Sequence, residues 1–228
     1  MGATILIIFG YALGALPFTV ALSVAVGIDV LTETDLYAAL RRQAGWPHAA
    51  ASVLVDTAKG MFPVLIGFGF SFSPWVVSGA AIATVIGQMW PPLRGHGAKG
   101  NSTAIGALTA LALVYEVYLV LLCLPFFVTG IAFRLLLLAS PPEERDPDSL
   151  LAVALPFMML IGFVVAPVLS WLAGGHSGMT VGVALILCVI VAKRLTAGLR
   201  TDLDVGVGAG RVLLRRLLFD QSLAGRDV

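Results

Sequence analysis

Two groups of residues in this sequence carry chemistry beyond what packing requires. The first is Asp56 and Lys59, three residues apart in an otherwise apolar run. On a helix that spacing places both side chains on one face, where they can pair. A charge at membrane depth is costly unless it is paired or turned toward water. A purely structural ion pair accounts for the two charges. The following Gly60 and Pro63 favour a functional role, because a break at proline frees backbone groups that need a protein-lined or wet cavity. The second group is the stretch from Gly87 through Gln88, Trp90, Pro91, Pro92, Arg94, Gly95, His96, Gly97, Lys99, Gly100, Asn101 and Thr103, which opens into an apolar run. Glycines let successive N–H groups converge on an anion, and a helix N-terminus adds a favourable dipole. Arg94 and Lys99 add positive charge, so Arg94, Gly95, Gly97, Lys99, Gly100 and Asn101 are candidate phosphate-binding residues. An ordinary cation-bearing loop is the alternative. The spacing is not that of a Walker A loop, since no Gly-Lys-Ser/Thr follows Gly95 at the required distance. The unperturbed pKa of a histidine lies near neutrality, which makes His96 a candidate general base; His48 and His176 lack such a setting.

The elements that must position these residues are membrane helices. Of 228 residues 59% are hydrophobic and 12% charged, with a mean hydropathy of +0.98, against roughly 25% charge in a soluble domain. A chain this apolar cannot cover a water-facing shell, and its solvent is lipid. The formal charge of +1, from 14 Lys and Arg against 13 Asp and Glu, gives no field for nucleic acid. Cys123 and Cys188 lie in apolar runs and read as packing residues, so neither a metal nor an organic cofactor is implied. Measured against the roughly 20 apolar residues of a spanning helix, the chain parses into spans at 4–28, 48–70, 75–90, 150–172 and 178–191. The run 102–139 is long enough for two, split near Tyr115, Glu116 and Tyr118, with one tilted helix as the alternative. The fold class predicted is an all-α integral membrane bundle of about seven helices. The first span lacks a cleavage signature and is expected to stay in the mature protein. Arg41 and Arg42, Arg94 and Lys99, Arg145, and the cations from Lys193 onward fall in alternate segments. The segments around Ser73, Glu116 and His176 contain no Lys or Arg. The positive-inside rule then predicts the N-terminus outside and the C-terminus cytoplasmic. Residues 1–204 form the membrane domain, and 205–228 a basic amphipathic tail suited to an anionic leaflet or simply solvated. Arg134, near a helix end, can snorkel.

These residues resemble a family, the bacterial acyl-phosphate:glycerol-3-phosphate acyltransferases. Gly10-Tyr11-Ala12-Leu13-Gly14-Ala15-Leu16-Pro17 is similar to the family's Tyr-x-x-Gly-Ser-Ile-Pro start. Val55-Asp56-Thr57-Ala58-Lys59-Gly60 is similar to its Asp-x-x-Lys-Gly motif. The stretch from Gly87 to Gly100 resembles its Gly-His-x-x-Pro loop ending in Gly-Gly-Lys-Gly, one residue shorter, and order and spacing agree over about residues 8–105. Ser149-Leu150 falls where the family has a Ser-Leu pair. The chain also departs from the pattern. The family's Gly-Ser-Gly-Asn loop is replaced by Leu31-Thr32-Glu33-Thr34-Asp35, where Thr32 can stand in for the serine hydroxyl and Arg42 matches the arginine that follows. Gln88 occupies the motif's histidine and Ala98 a glycine. Lys193-Arg194 and Arg200 keep the cations of a C-terminal Arg-His-x-x-Asn-x-x-Arg pattern without its His and Asn.

The resemblance implies acyl transfer from acyl phosphate to the 1-hydroxyl of glycerol 3-phosphate at the cytoplasmic face of the inner membrane, giving lysophosphatidic acid and phosphate. Such a site must hold two phosphates together and align hydroxyl with carbonyl, a task for proximity and fixed positive charge. Lys59, Lys99, His96 and Thr32 are the candidate catalytic residues. Arg42, Asp56, Arg94, Gly95, Gly97, Gly100, Asn101 and Arg200 are the candidates for holding substrate. The base is either a substrate phosphate oxygen or His96, and acyl chains enter from the lipid. The competing reading is a non-catalytic membrane protein that keeps the fold and an anion or lipid pocket; a transporter is a third, weakened by the absence of a visible repeat.

Overall fold

A computed structural model describes residues 1–29, 36–92, 98–139, 149–204 and 208–220. All regular structure among them is helical. The elements are α1 (Gly2–Ala15), α2 (Phe18–Ala25), α3 (Leu36–Gln43), α4 (Trp46–Gly69), α5 (Pro74–Met89), α6 (Asn101–Val114), a 3-10 turn (Tyr118–Cys123) running into α7 (Leu124–Ala139), α8 (Leu150–Leu172), α9 (Ser177–Thr196), α10 (Leu199–Leu203) and α11 (Ala209–Phe219). Among the described residues, five stretches are long and apolar enough to cross a membrane: 2–25, 46–69, 118–137, 150–172 and 177–196. The apolar α5 and α6 are shorter, at 16 and 14 residues.

Most helix ends follow from local chemistry. Ser71 turns back at φ +57°, and Pro74 opens α5 where its missing N–H costs nothing. Ser149 caps α8 by accepting from the Ala152 N–H. Glu116, at φ +57°, separates α6 from the 3-10 turn, so the long apolar run does divide near Tyr115. Two proline expectations need correction. The first span is not one helix: Pro17 has no N–H to donate, and the chain breaks at Leu16–Pro17 between α1 and α2. Pro63, by contrast, does not break α4, which runs continuously through it. What Pro63 removes is the N–H that the Lys59 carbonyl would have accepted.

Packing depends on small residues, because lipid supplies no hydrophobic drive between helices and close backbone approach must supply dispersion instead. Gly10 and Gly14 are a Gly-x-x-x-Gly pair on α1 facing α5. A Cβ on Gly14 would overlap the Thr84 carbonyl and crowd the Gln88 backbone. On α4, a Cβ on Gly60 would overlap the Thr103 carbonyl of α6, and Gly106 meets the Thr57 carbonyl in the reciprocal way. The order of these contacts makes α1 and α5 parallel, and α4 and α6 also run in the same direction, since Gly60 meets the first turn of α6 while Phe68, near the end of α4, meets Tyr115 at the end of α6. Gly178 against Trp75 and Gly182 against Ser78 set α9 parallel to α5. A buried core through Val85, Leu108, Leu111, Phe127, Phe163, Met179 and Ile186 ties the bundle together, while Leu54, Phe62, Val128 and Val168 remain exposed on its outside.

The two ends of the bundle differ in character. At one, Tyr115 lies 5.9 Å from the Phe68 ring and 5.5 Å from that of His176, so the three cation-free turns cluster. Cations gather at the other. There Lys193 Nζ donates to the Met89 carbonyl at 2.8 Å and lies 5.0 Å from the centre of the Trp90 ring. The four tryptophans divide between the ends, with Trp75 and Trp171 beside the cation-free turns and Trp46 and Trp90 at the cationic end, all exposed. That is the placement of interfacial aromatic belts.

Candidate active site

Asp56 is fully buried and Lys59 is 5% exposed. Two charges so placed are tolerable only when paired and hydrogen-bonded, and here all three ammonium donors and both carboxylate oxygens are engaged. Lys59 Nζ donates to Asp56 Oδ1 at 2.8 Å, to the Leu16 carbonyl at 2.7 Å and to Gln88 Oε1 at 3.4 Å. The Leu16 carbonyl is within reach because α1 stops at Pro17. Asp56 Oδ2 accepts from Gln88 Nε2 at 3.0 Å, from Thr19 Oγ1 at 3.2 Å and from the Tyr37 hydroxyl. Thr19 and Ser52 hydroxyls lie 2.6 Å apart. Five segments thus meet at one carboxylate and one ammonium: the α1–α2 break, α2, α3, α4 and α5.

The Tyr37 hydroxyl is enclosed, and that desolvation, with the Asp56 charge second, raises its pKa above the ordinary 10. It stays protonated and donating at neutral pH. The same hydroxyl bonds the Ser102 side chain, and Ser102 lies in the first turn of α6. Gly60, next to Lys59, packs on Thr103 in that turn. Gly100, at φ +73°, is the residue from which α6 departs. A side chain there would be strained at that φ and would strike Met89, the neighbour of Gln88. The Asp56–Lys59 pair, the end of α5 and the start of α6 therefore converge. The end of α5 is fixed further by Tyr11, whose hydroxyl donates to the Trp90 carbonyl at 3.0 Å.

The expected site residues sort as follows. Asp56, Lys59 and Gly100 belong to this convergence, and Asn101 opens α6 beside it. Lys59 differs from a free phosphate contact: its three N–H groups already face three protein acceptors. Lys99 is 68% exposed and pairs with Asp220 Oδ2 at 2.6 Å. Arg42 is exposed on α3 and Arg200 on α10. Thr32, Arg94, Gly95, His96 and Gly97 lie outside the described residues. Sequence reasoning missed Thr19, Tyr37, Ser52 and Ser102. A lone hydroxyl in an apolar run carries no signal of its partner, and Gln88 was legible only as a departure from a motif.

The basic tail also takes a definite place. Arg216 of α11 is buried against Asp202 of α10, with Nε and Nη2 each 2.5 Å from Oδ2. Arg194 reaches the Leu217 carbonyl at 3.0 Å and the Pro156 carbonyl of α8 at 2.9 Å. One tail cation is therefore used inside the protein.

Fold and site define the class: an all-helical, multi-pass integral membrane protein with a buried ionic centre at the cation-bearing end of its bundle. From residue 4 to residue 200 the chain matches the model of a family described as glycerol-3-phosphate acyltransferase, and it belongs to that family. Proteins so named include one of Geotalea daltonii, 31% identical over 69% of this chain and 77% of its own length, and one of Vibrio cholerae, 28% identical over 88% and 89%. One of Rubrobacter xylanophilus reaches 38% over 47% of this chain, a match spanning 56% of that protein. Two crystal structures of PlsY (YgiH), an integral membrane glycerol 3-phosphate acyltransferase, share the fold. The lysophosphatidic acid form has a TM-score of 0.64 and 21% identity, covering 90% of this chain and 93% of that one. The glycerol 3-phosphate form gives 0.63 and 23%, covering 93% and 99%.

Proposed function

We propose that this chain transfers an acyl group from acyl phosphate to the 1-hydroxyl of glycerol 3-phosphate at the cytoplasmic face of the inner membrane. The hydroxyl oxygen attacks the acyl carbonyl carbon, the bond from that carbon to the phosphate oxygen breaks, and the hydroxyl proton passes to a phosphate oxygen or His96. Lysophosphatidic acid and inorganic phosphate leave. One observation carries this reading: the Asp56–Lys59 pair, the α5 end and the Gly100 start of α6 meet at one place in a chain of this family. Fixed charge and positioning are what the reaction asks of its catalyst, since phosphate is already a good leaving group.

Lys99, Arg94 and the Gly95 to Gly100 backbone hold phosphate, with Asn101, Arg42 and Arg200 as further contacts and Thr32 contributing a hydroxyl. The Asp56–Lys59 centre acts chiefly by fixing the α6 start against α4 while lending positive charge. Seven helices cross the bilayer in this reading, with the N-terminus outside, the C-terminus cytoplasmic and residues 205–228 a basic tail after the 1–204 membrane domain. The short helices support a recessed site. α5 begins at the far interface beside Trp75, and at ~1.5 Å per residue its length falls short of a hydrocarbon core of about 30 Å. Acyl chains reach such a site laterally from lipid.

A second reading, a non-catalytic anion or lipid pocket, is favoured by the full engagement of the Lys59 ammonium and by Gln88 at the motif's histidine. Purified protein incubated with acyl phosphate and glycerol 3-phosphate separates the two. Phosphate release together with lysophosphatidic acid supports the enzyme. Glycerol 3-phosphate binding without turnover, under conditions where another member of the family is active, moves the assignment to the pocket.

A further inference from the structure

Asp220 occupies an unusual position for a carboxylate in a protein that handles phosphate. It lies beyond residue 200, where the family match ends. It is only 16% exposed, and its Oδ2 sits 2.6 Å from Lys99 Nζ. The nearby cations Lys193 and Arg194 add to the positive field around it, while their own donors go to the Met89, Leu217 and Pro156 carbonyls. Its placement is enforced. α11 is anchored by the buried Arg216–Asp202 pair and by Arg194 on the Leu217 carbonyl. The Asp220 N–H closes the helix on the Arg216 carbonyl at 2.9 Å, with the residue in the left-handed conformation at φ +50°.

We infer that Asp220 occupies the anion subsite offered by Lys99, and that the C-terminal helix thereby makes this chain self-competing for the phosphate of its substrate. The inference rests on the proposed reaction insofar as Lys99 is a phosphate contact. A phosphate monoester oxygen and the Asp220 carboxylate seek the same N–H donors, so one must leave when the other binds. The Lys99 side chain is largely in water, and the contact is therefore a weak, displaceable one rather than a permanent block. Glycerol 3-phosphate and acyl phosphate present the same chemistry here.

The test is Asp220→Asn in the full chain. Asparagine tolerates the left-handed conformation as aspartate does, so the helix end is kept and only the charge is removed. The Michaelis constant is measured for each substrate, and inorganic phosphate binding is followed by titration calorimetry. The KM of one substrate should fall by about fivefold with kcat little changed, a size set by an exposed ion pair; the substrate affected is the one bound at Lys99. Asp220→Glu should restore the wild-type value. In a Lys99→Met background Asp220→Asn should change nothing further. Unchanged or higher KM values together with unchanged phosphate affinity would overturn the inference. If wild-type protein shows no acyl transfer, the reaction proposal fails alone, and the phosphate titration then decides the subsite. About fivefold tighter binding in Asp220→Asn upholds it; equal or weaker binding sinks it.

Discussion

At the scale of single residues, Lys59 and Lys99 are opposite kinds of lysine. Lys59 is enclosed with all three donors engaged, so its charge shapes the surroundings and holds α1, α4 and α5 in register. Lys99 is exposed on a helix-start loop, with one carboxylate partner that phosphate can displace. The difference predicts distinct mutant behaviour. Lys99→Ala should leave the melting temperature nearly unchanged, as expected for a wet-side residue. It should lower acyl transfer by about 100-fold, the loss typical of one charged transition-state contact. Lys59→Met leaves Asp56 buried without its counter-ion, and breaking such a pair costs about 3–5 kcal/mol, so melting temperature and activity should fall together. Calorimetric or fluorescence melting in detergent alongside a phosphate-release assay reads both. Normal activity in both variants would place phosphate binding elsewhere.

At the scale of elements, the site depends on how closely helix backbones approach. Gly60 lets α4 touch the carbonyl of Thr103, and this contact sets the first turn of α6 beside Tyr37 and Asp56. Gly69, on the same helix, has open space where a Cβ would stand. Gly60→Ala should therefore force α4 and α6 apart, destabilising the protein by about 1–3 kcal/mol as overpacking does, and should reduce activity because the α6 start moves. Gly69→Ala should be silent in both measurements. Equal effects of the two substitutions would mean that the α4–α6 contact does not position the site. The α1–α2 break works in a related way: a continuous helix would bond the Leu16 carbonyl within itself, and Pro17 leaves it turned toward Lys59.

At the scale of the whole molecule, the uneven distribution of cations predicts its placement in the membrane. A reporter fused after Val228 should be cytoplasmic, and tags inserted near Ser73 or His176 should be outside, as labelling with a membrane-impermeant reagent will read. An externally labelled C-terminus would overturn the orientation and with it the cytoplasmic site. The clustering of Phe68, Tyr115 and His176 at the cation-free end, opposite Lys193 and Lys99, is the structural counterpart of this prediction.

By itself the sequence determined the lipid solvent, the positions of most long helices and the division of the 102–139 run, because hydropathy over a span and the turn chemistry of Ser71–Pro74 or Gly174–His176 are local properties. It also determined the pairing of Asp56 with Lys59, which needs only one turn of helix. It misjudged the prolines, since the residue type alone does not say whether a helix continues through proline, as at Pro63, or parts there, as at Pro17. Only the tertiary structure decided which distant groups complete the ionic centre. Thr19, Tyr37, Gln88 and the Leu16 carbonyl reach Asp56 and Lys59 through glycine-mediated crossings, whose geometry no local pattern encodes. The tail was decided in the same way. Arg216 and Asp220 read as a basic, solvated end until Asp202 and Lys99 are brought to them, because a charge's role is set by the partner that folding places within reach.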